Sequence, residues 1–151
     1  MSDTLPAGYR AVLEPPSIAD YLRLRREAGL SPFTERAARV GLTHSILAVT
    51  VERGGEAVGM GRVIGDGGLF FQLVDIAVLP AHRGRGLGKA IVATLIETLE
   101  SRLDASAYVS LVADGEARRL YAQYGFVPVA PKSIGMARWI GGGADQPPPS
   151  S

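Results

Sequence analysis

Leu69-Phe-Phe-Gln-Leu-Val-Asp-Ile-Ala-Val78 runs through Leu79-Pro-Ala-His82 into Arg83-Gly-Arg-Gly-Leu-Gly-Lys89, and this stretch decides the fold. The apolar, β-branched run predicts a strand. Beyond it, Leu87, Ile91, Leu95 and Leu99 recur every four residues with Val92 and Ile96 beside them, which marks one buried face of a helix. The join between the two is an anion cradle. Gly84, Gly86 and Gly88 let consecutive backbone N–H groups turn toward one point, the positive end of the helix dipole aims there too, and Arg83, Arg85 and Lys89 add charge. Cations at the start of a helix oppose its dipole, so three of them so close together call for an anion such as a pyrophosphate.

Working outward, Ala107 to Ala113 reads as a second apolar strand, which makes strand, helix and strand a right-handed parallel crossover. Asp114 is placed to cap a helix reaching about Tyr124, with Gly125 as its stop. Phe126 to Val129 and Ile134 to Ile140 read as closing strands. Upstream, Ser45–Glu52 and Glu56–Ile64 flank Arg53-Gly54-Gly55 as an antiparallel hairpin, and Asp66-Gly67-Gly68 turns into the Leu69 strand. Tyr9 to Leu13 is a short strand. Ser17-Ile-Ala-Asp20 opens a helix that Gly29 stops, and Ser31-Pro32 restarts a second with Phe33, Ala37 and Val40 on one face. The order is β-α-α-β-β-β-α-β-α-β-β. Residues 1–8 and the Gly/Pro/Ser tail 141–151 read as flexible ends around one domain, 9–140.

At 151 residues and 46% hydrophobic, the chain has one domain's worth of core. Sixteen Lys and Arg against fifteen Asp and Glu leave a formal charge of +1, too little to drive nonspecific binding to nucleic acid or anionic membrane. The absence of cysteine excludes disulfides, thiolate metal ligands and a cysteine nucleophile. His44 and His82 are far apart and suggest no metal site. With neither a signal-like N-terminus nor an apolar run near the ~20 residues of a bilayer span, a soluble cytoplasmic protein is the expectation.

A glycine-rich turn also occurs in dinucleotide-binding units, but there it belongs to a first βα unit, whereas this one follows an antiparallel meander. The chain instead resembles the GNAT N-acetyltransferase superfamily. Arg83-Gly-Arg-Gly-Leu-Gly88 matches that family's acetyl-CoA signature, and Leu120-Tyr-Ala-Gln-Tyr-Gly-Phe126 matches its second. The likeness covers about Ser45 to Trp139 well and the two N-terminal helices by topology. It implies an α/β (α+β) GNAT-like acyl-CoA N-acyltransferase fold: a central mixed, mostly antiparallel twisted sheet flanked by about four helices, with splayed parallel strands around one βαβ crossover. It further implies acetyl-CoA as co-substrate, its pantetheine in the gap beside exposed backbone near Ala77 and Val78. Its diphosphate would lie on Arg83, Gly84, Arg85, Gly86, Leu87, Gly88 and Lys89. No metal is implied.

Acyl transfer to an amine needs a neutral amine, a donor for the oxyanion and an acid for the departing thiolate. Tyr121 matches the family's thiolate-protonating tyrosine, and a phenol is protonated at neutral pH; Tyr124 beside it suits packing better. Some relatives carry a basic Glu where this chain has Gln72, which cannot accept a proton. Asp75 is the acid left on that strand, and an Asp bonded within the fold is the ordinary alternative. Asp114 stands where many relatives place an Asn that touches the cofactor. Arg25, Arg26, Arg62 and Asp66 are candidates for acceptor binding. If Asp66 faces the pocket a cationic amine is attracted; if Arg62 does, an acidic substrate is. The expected activity is acetyl transfer to a primary amine of a small molecule, peptide or protein by direct attack in a ternary complex. A noncatalytic acyl-CoA-binding module is the other reading. The apolar closing strands offer an edge for a homodimer.

Overall fold

Arg53 pairs with Glu56 across Gly54 and Gly55, both in the left-handed region at φ +58° and +80°. Such a two-residue turn matches the twist of the strands it joins, and it fixes the register of the sheet's centre. In a computed structural model describing residues 5–141, the strands are β1 (Tyr9–Val12), β2 (Leu47–Arg53), β3 (Glu56–Gly65), β4 (Phe70–Val78) and β5 (Tyr108–Ser110). They form one sheet in the order β1-β2-β3-β4-β5, antiparallel except for β4 beside β5. The helices are α1 (Ile18–Glu27), α2 (Glu35–Leu42), α3 (Leu87–Arg102) and α4 (Arg118–Ala122), with 3₁₀ turns at Pro80–His82 and Gly115–Ala117. No helix among the described residues is long and apolar enough to cross a membrane.

Helix α3 lies on one face of the sheet. Leu87, Ile91, Leu95 and Leu99, the face predicted by spacing, are all at most 3% exposed, and Val92 joins them. Each such side chain contributes roughly 1.5–3 kcal/mol of burial. Close approach depends on Gly61 of β3, where a Cβ would stand 2.5 Å from Ile91 Cγ2 and 2.8 Å from Ile76 Cδ1. Helices α1 and α2 cover the opposite face, where Tyr21 and Leu24 are buried.

Local signals account for most boundaries. Ser17 Oγ accepts from Asp20 N–H at 3.1 Å to cap α1, and Gly29 at φ +85° ends its chain direction. Helix α2 starts later than Ser31-Pro32 suggests, because Thr34 Oγ1 accepts from Ala37 N–H and makes Thr34 the cap. Its buried side chains are Ala38 and Leu42, while Val40 is exposed, so the face expected from Phe33, Ala37 and Val40 is displaced by one position.

The C-terminal third departs most from expectation. Strand β5 covers three residues, 108–110, of the seven expected, because β4 pairs with it only from Phe70↔Tyr108 to Gln72↔Ser110. The helix expected from Asp114 to Tyr124 is a 3₁₀ turn followed by five helical residues, and Asp114 sits at the cap position without a side-chain capping bond. Gly125 at φ +87° does stop the helix. Neither 126–129 nor 134–140 forms a strand. Pro128 removes a ladder donor from the first run and Pro131 interrupts the chain between the two, and Val127, Ile134, Met136 and Ile140 are exposed. The strand edge on which a homodimer was expected is therefore not formed by these residues. Of the ends read as flexible, residues 1–4 and 142–151 lie outside the described residues. Residues 5–8 form a turn, with Tyr9 N–H on Pro6 O at 3.2 Å and Leu5 half-buried against the core.

Candidate active site

The turn before α3 has the conformation its glycines predict. Gly84 and Gly86 take φ +78° and +80°, and no atom lies within 4 Å of where a Cβ would be at either, so glycine is required there by backbone conformation. Gly86 is the N-cap of α3, with no side-chain capping bond and no acid in the first turn. The first N–H groups of a helix lack intrahelical partners and lie at the positive end of its dipole. Arg85 has no hydrogen bond or ion pair among the described residues and is exposed. Arg83 is used differently from expectation: its Nε donates to Val78 O at 3.0 Å and its Nη2 to Ala28 O at 3.1 Å, tying the turn to β4 and to the end of α1.

Beyond Gln72, β4 has no ladder partner on its β5 side among the described residues. Leu79 N–H donates to Val58 O of β3 at 2.9 Å. Backbone groups alternate sides along a strand, so those of Val78 face the gap and those of Ala77 face β3. On α4, Tyr121 is 8% exposed, its ring against Phe126. Burial pushes its phenol up from the usual value of 10.0, and the negative charge of Asp114 adds to this. The Tyr121 hydroxyl has no hydrogen bond among the described residues, yet no buried side-chain oxygen is left unpaired. It therefore reaches open space, and Tyr121 lines a cavity of about 590 Å³ with Leu111, Ala113 and Phe126. Tyr124 instead donates to Lys89 O at 3.3 Å, joining α4 to α3.

Asp75 is 3% exposed and sits at φ +60° in a bulge, where β4 has two residues, Asp75 and Ile76, opposite Gly61. Its Oδ1 accepts from Arg25 Nη1 at 2.5 Å and its Oδ2 from Arg62 Nε at 2.7 Å. Tyr21 Oη donates to both oxygens, at 2.9 and 3.0 Å. Burial first, and the Asp75 charge second, push the Tyr21 phenol up to about 12. Both carboxylate oxygens are thus engaged by donors from α1 and β3, so Asp75 is bonded within the fold. Tyr21 and Arg25, four residues apart on one face of α1, reach Asp75 from 54 and 50 residues away; only Arg25 stood out in the sequence.

Arg62 and Asp66 do not share a site. Asp66 is exposed, and its Oδ1 accepts from the N–H groups of Gly68, Leu69 and Phe70, which holds its carboxyl below the usual range. It shapes the β3–β4 turn. Arg26 is exposed, 3.9 Å from Glu27.

A five-stranded mixed sheet, parted between its parallel strands beside a glycine turn and a buried tyrosine, is the architecture of an acyltransferase. The chain belongs to the acetyltransferase (GNAT) family, whose sequence profile matches residues 13–126. A probable acetyltransferase from meticillin-resistant Staphylococcus aureus superposes with a TM-score of 0.84 at 41% identity, covering 87% of this chain and 99% of that one. A GNAT-family protein from Xanthomonas campestris superposes with a TM-score of 0.69 at 28% identity, over 91% of this chain and 96% of that one. Soybean's histone acetyltransferase TAP1 is 33% identical over 90 residues, which are 58% of this chain and 38% of that protein. The chain thus spans little more than a third of the length of that curated relative.

Proposed function

We propose that the protein transfers an acetyl group from acetyl-CoA to a primary amine of a small molecule, peptide or protein by direct attack in a ternary complex. The observation that carries this is the parting of β4 from β5 after Gln72, with the glycine turn between β4 and α3 and the buried Tyr121 on the helix that follows β5. The turn fits a diphosphate: positive-φ glycines with open space over them, a helix N-terminus with no side-chain cap and no acid in its first turn, and the cations Arg85 and Lys89. Val78, whose carbonyl already accepts from Arg83 Nε at 3.0 Å, would offer its N–H to a pantetheine carbonyl. Acetyl-CoA supplies the activated thioester, and as the N–C bond forms and the C–S bond breaks, one proton leaves nitrogen and one is gained at sulfur.

Tyr121 holds a proton on Oη throughout the neutral range and donates it toward sulfur as negative charge develops there. Asp75 is assigned a positioning role, holding α1 to the sheet beside the gap. Two measurements test the reading: calorimetry of acetyl-CoA binding, and thiol release across an amine panel with wild type and Tyr121→Phe. Acetyl-CoA binds both proteins within about twofold, while Tyr121→Phe lowers kcat by roughly 10²–10⁴, the usual contribution of a positioned acid. Absence of binding by folded wild type refutes the reading. Binding without turnover on any amine favours a noncatalytic acyl-CoA-binding module.

A further inference from the structure

Beside Arg62 the α1–α2 layer encloses a cavity of about 190 Å³ lined by Tyr21, Phe33, Ala37, Gly41, Leu42 and Arg62. Apart from Arg62 and the Tyr21 hydroxyl, which is given to Asp75, the wall is apolar or backbone. Arg62 spends Nε on Asp75 and Nη1 on Ser45 Oγ at 2.9 Å and Gly41 O at 3.4 Å. Its Nη2 has no hydrogen bond among the described residues. No buried side-chain nitrogen is unpaired either, so Nη2 opens into space. Asp75 is the acid paired with Arg62, and it divides its one charge between Arg62 and Arg25. The cavity therefore presents a half-compensated guanidinium with donors to spare, held rigid by 92% burial and three bonds.

We infer that this cavity receives the carboxylate of the acceptor, so that the preferred substrates are small amines carrying an acidic group. The inference rests on the acyl-transfer reading above and narrows its substrate class. A planar, pre-organised guanidinium matches a carboxylate, and bonds of this charge-assisted kind are about twice as strong as neutral ones. The volume falls below the ~300 Å³ at which pockets for drug-sized ligands begin, which suits a group of a few atoms. Asp75, in the same cluster, lies three residues past the last β4–β5 pair, so the cavity and the gap adjoin one bulge. Asp66, which would have favoured a cation, is spent on its own turn.

The test compares 4-aminobutyrate with 4-aminobutyramide as acceptors, at equal free-amine concentration, in wild type and Gly41→Asp. Arg62→Lys is the obvious variant but disturbs the buried cluster. Gly41 has open space around its Cβ position and helical backbone, so its aspartate adds a competing carboxylate to the cavity wall without strain. Wild type should prefer the acid by about ten- to a hundredfold in kcat/KM, and Gly41→Asp should bring the ratio close to one. Binding is read independently through the chain's one tryptophan: Trp139 meets Phe33 of the cavity wall edge-on at 5.7 Å. Propionate should change its fluorescence saturably in wild type, and propionamide should not. If neither amine is acetylated while propionate still saturates, the acyl-transfer reading falls and the carboxylate site stands. Equal kcat/KM for the two amines, an unchanged ratio in Gly41→Asp, or equal responses to propionate and propionamide overturns the inference.

Discussion

Replacing Asp75 with Asn tests the buried cluster without disturbing the backbone that carries it. Asp75 occupies φ +60°, a region in which Asn is among the few favoured residues, so the bulge survives and the change reads as a loss of charge. Asn keeps one acceptor oxygen where the carboxylate offered two, and it aims an NH₂ at a guanidinium. Of the bonds from Arg25 Nη1, Arg62 Nε and Tyr21 Oη, one to an arginine is lost and the other loses its charge partner. Bonds to charged groups contribute about 1.5–3 kcal/mol each, and breaking a buried ion pair costs about 3–5 kcal/mol because a charge is left uncompensated. The expected loss is therefore about 3–5 kcal/mol, a large part of the roughly 5–15 kcal/mol that holds a domain together. Urea denaturation followed by far-UV circular dichroism measures it, and Tm should fall by about 10 °C or more. A loss below about 1 kcal/mol would show that the cluster is not bearing the charges as described.

Gly61→Val places methyl groups where a Cβ alone would already meet Ile91 Cγ2 at 2.5 Å and Leu95 Cδ1 at 3.1 Å; the overpacking should cost about 1–3 kcal/mol in the same denaturation assay, and an unchanged midpoint contradicts the packing. Tyr21 links stability to alkaline pH. Its phenol ionises near 10.0 when unfolded and near 12 when folded, so the stabilisation is complete below about pH 10 and is lost as pH rises to about 12, roughly 3 kcal/mol in all. Denaturation at about pH 9 and about pH 11 should show a smaller decline in Tyr21→Phe than in wild type; parallel declines refute the assignment.

Local chemistry was legible in the sequence where one or two residues decide it. Ser17 with Asp20, Gly54 with Gly55, and the four-residue spacing from Leu87 to Leu99 each specify their element without help from elsewhere, and the glycine turn does the same for the site. Thr34 was a cap in plain view, but Ser31-Pro32 offers a competing start three residues earlier. The C-terminal apolar runs misled because β-propensity records suitability for a sheet, and the prolines at 128 and 131 count against one. The Asp75 cluster was hidden for another reason: its members come from α1, β3 and β4, and nothing local to Tyr21 or Arg25 announces a partner fifty or more positions away.

The bulge also changes how β4 must be read. Its burial alternates without a break, with Phe71, Leu73, Asp75 and Ala77 all enclosed, as though one parity faced one layer throughout. Directly opposed residues share a face, and the pairings Val63↔Leu73 and Met60↔Ala77 put Leu73 on the α3 side and Ala77 on the α1 side. Odd-numbered positions thus exchange layers at Asp75. Removing Ile76 would restore a uniform ladder, place Asp75 opposite Gly61 in the hydrocarbon beneath α3 and leave Val74, the partner of Arg62, facing the two arginines. The same deletion at Gly67-Gly68, where the side chains of neither layer are at stake, would only tighten a loop. A few positions of β4 are therefore intolerant of any change in chain length, and they are the ones that border the gap.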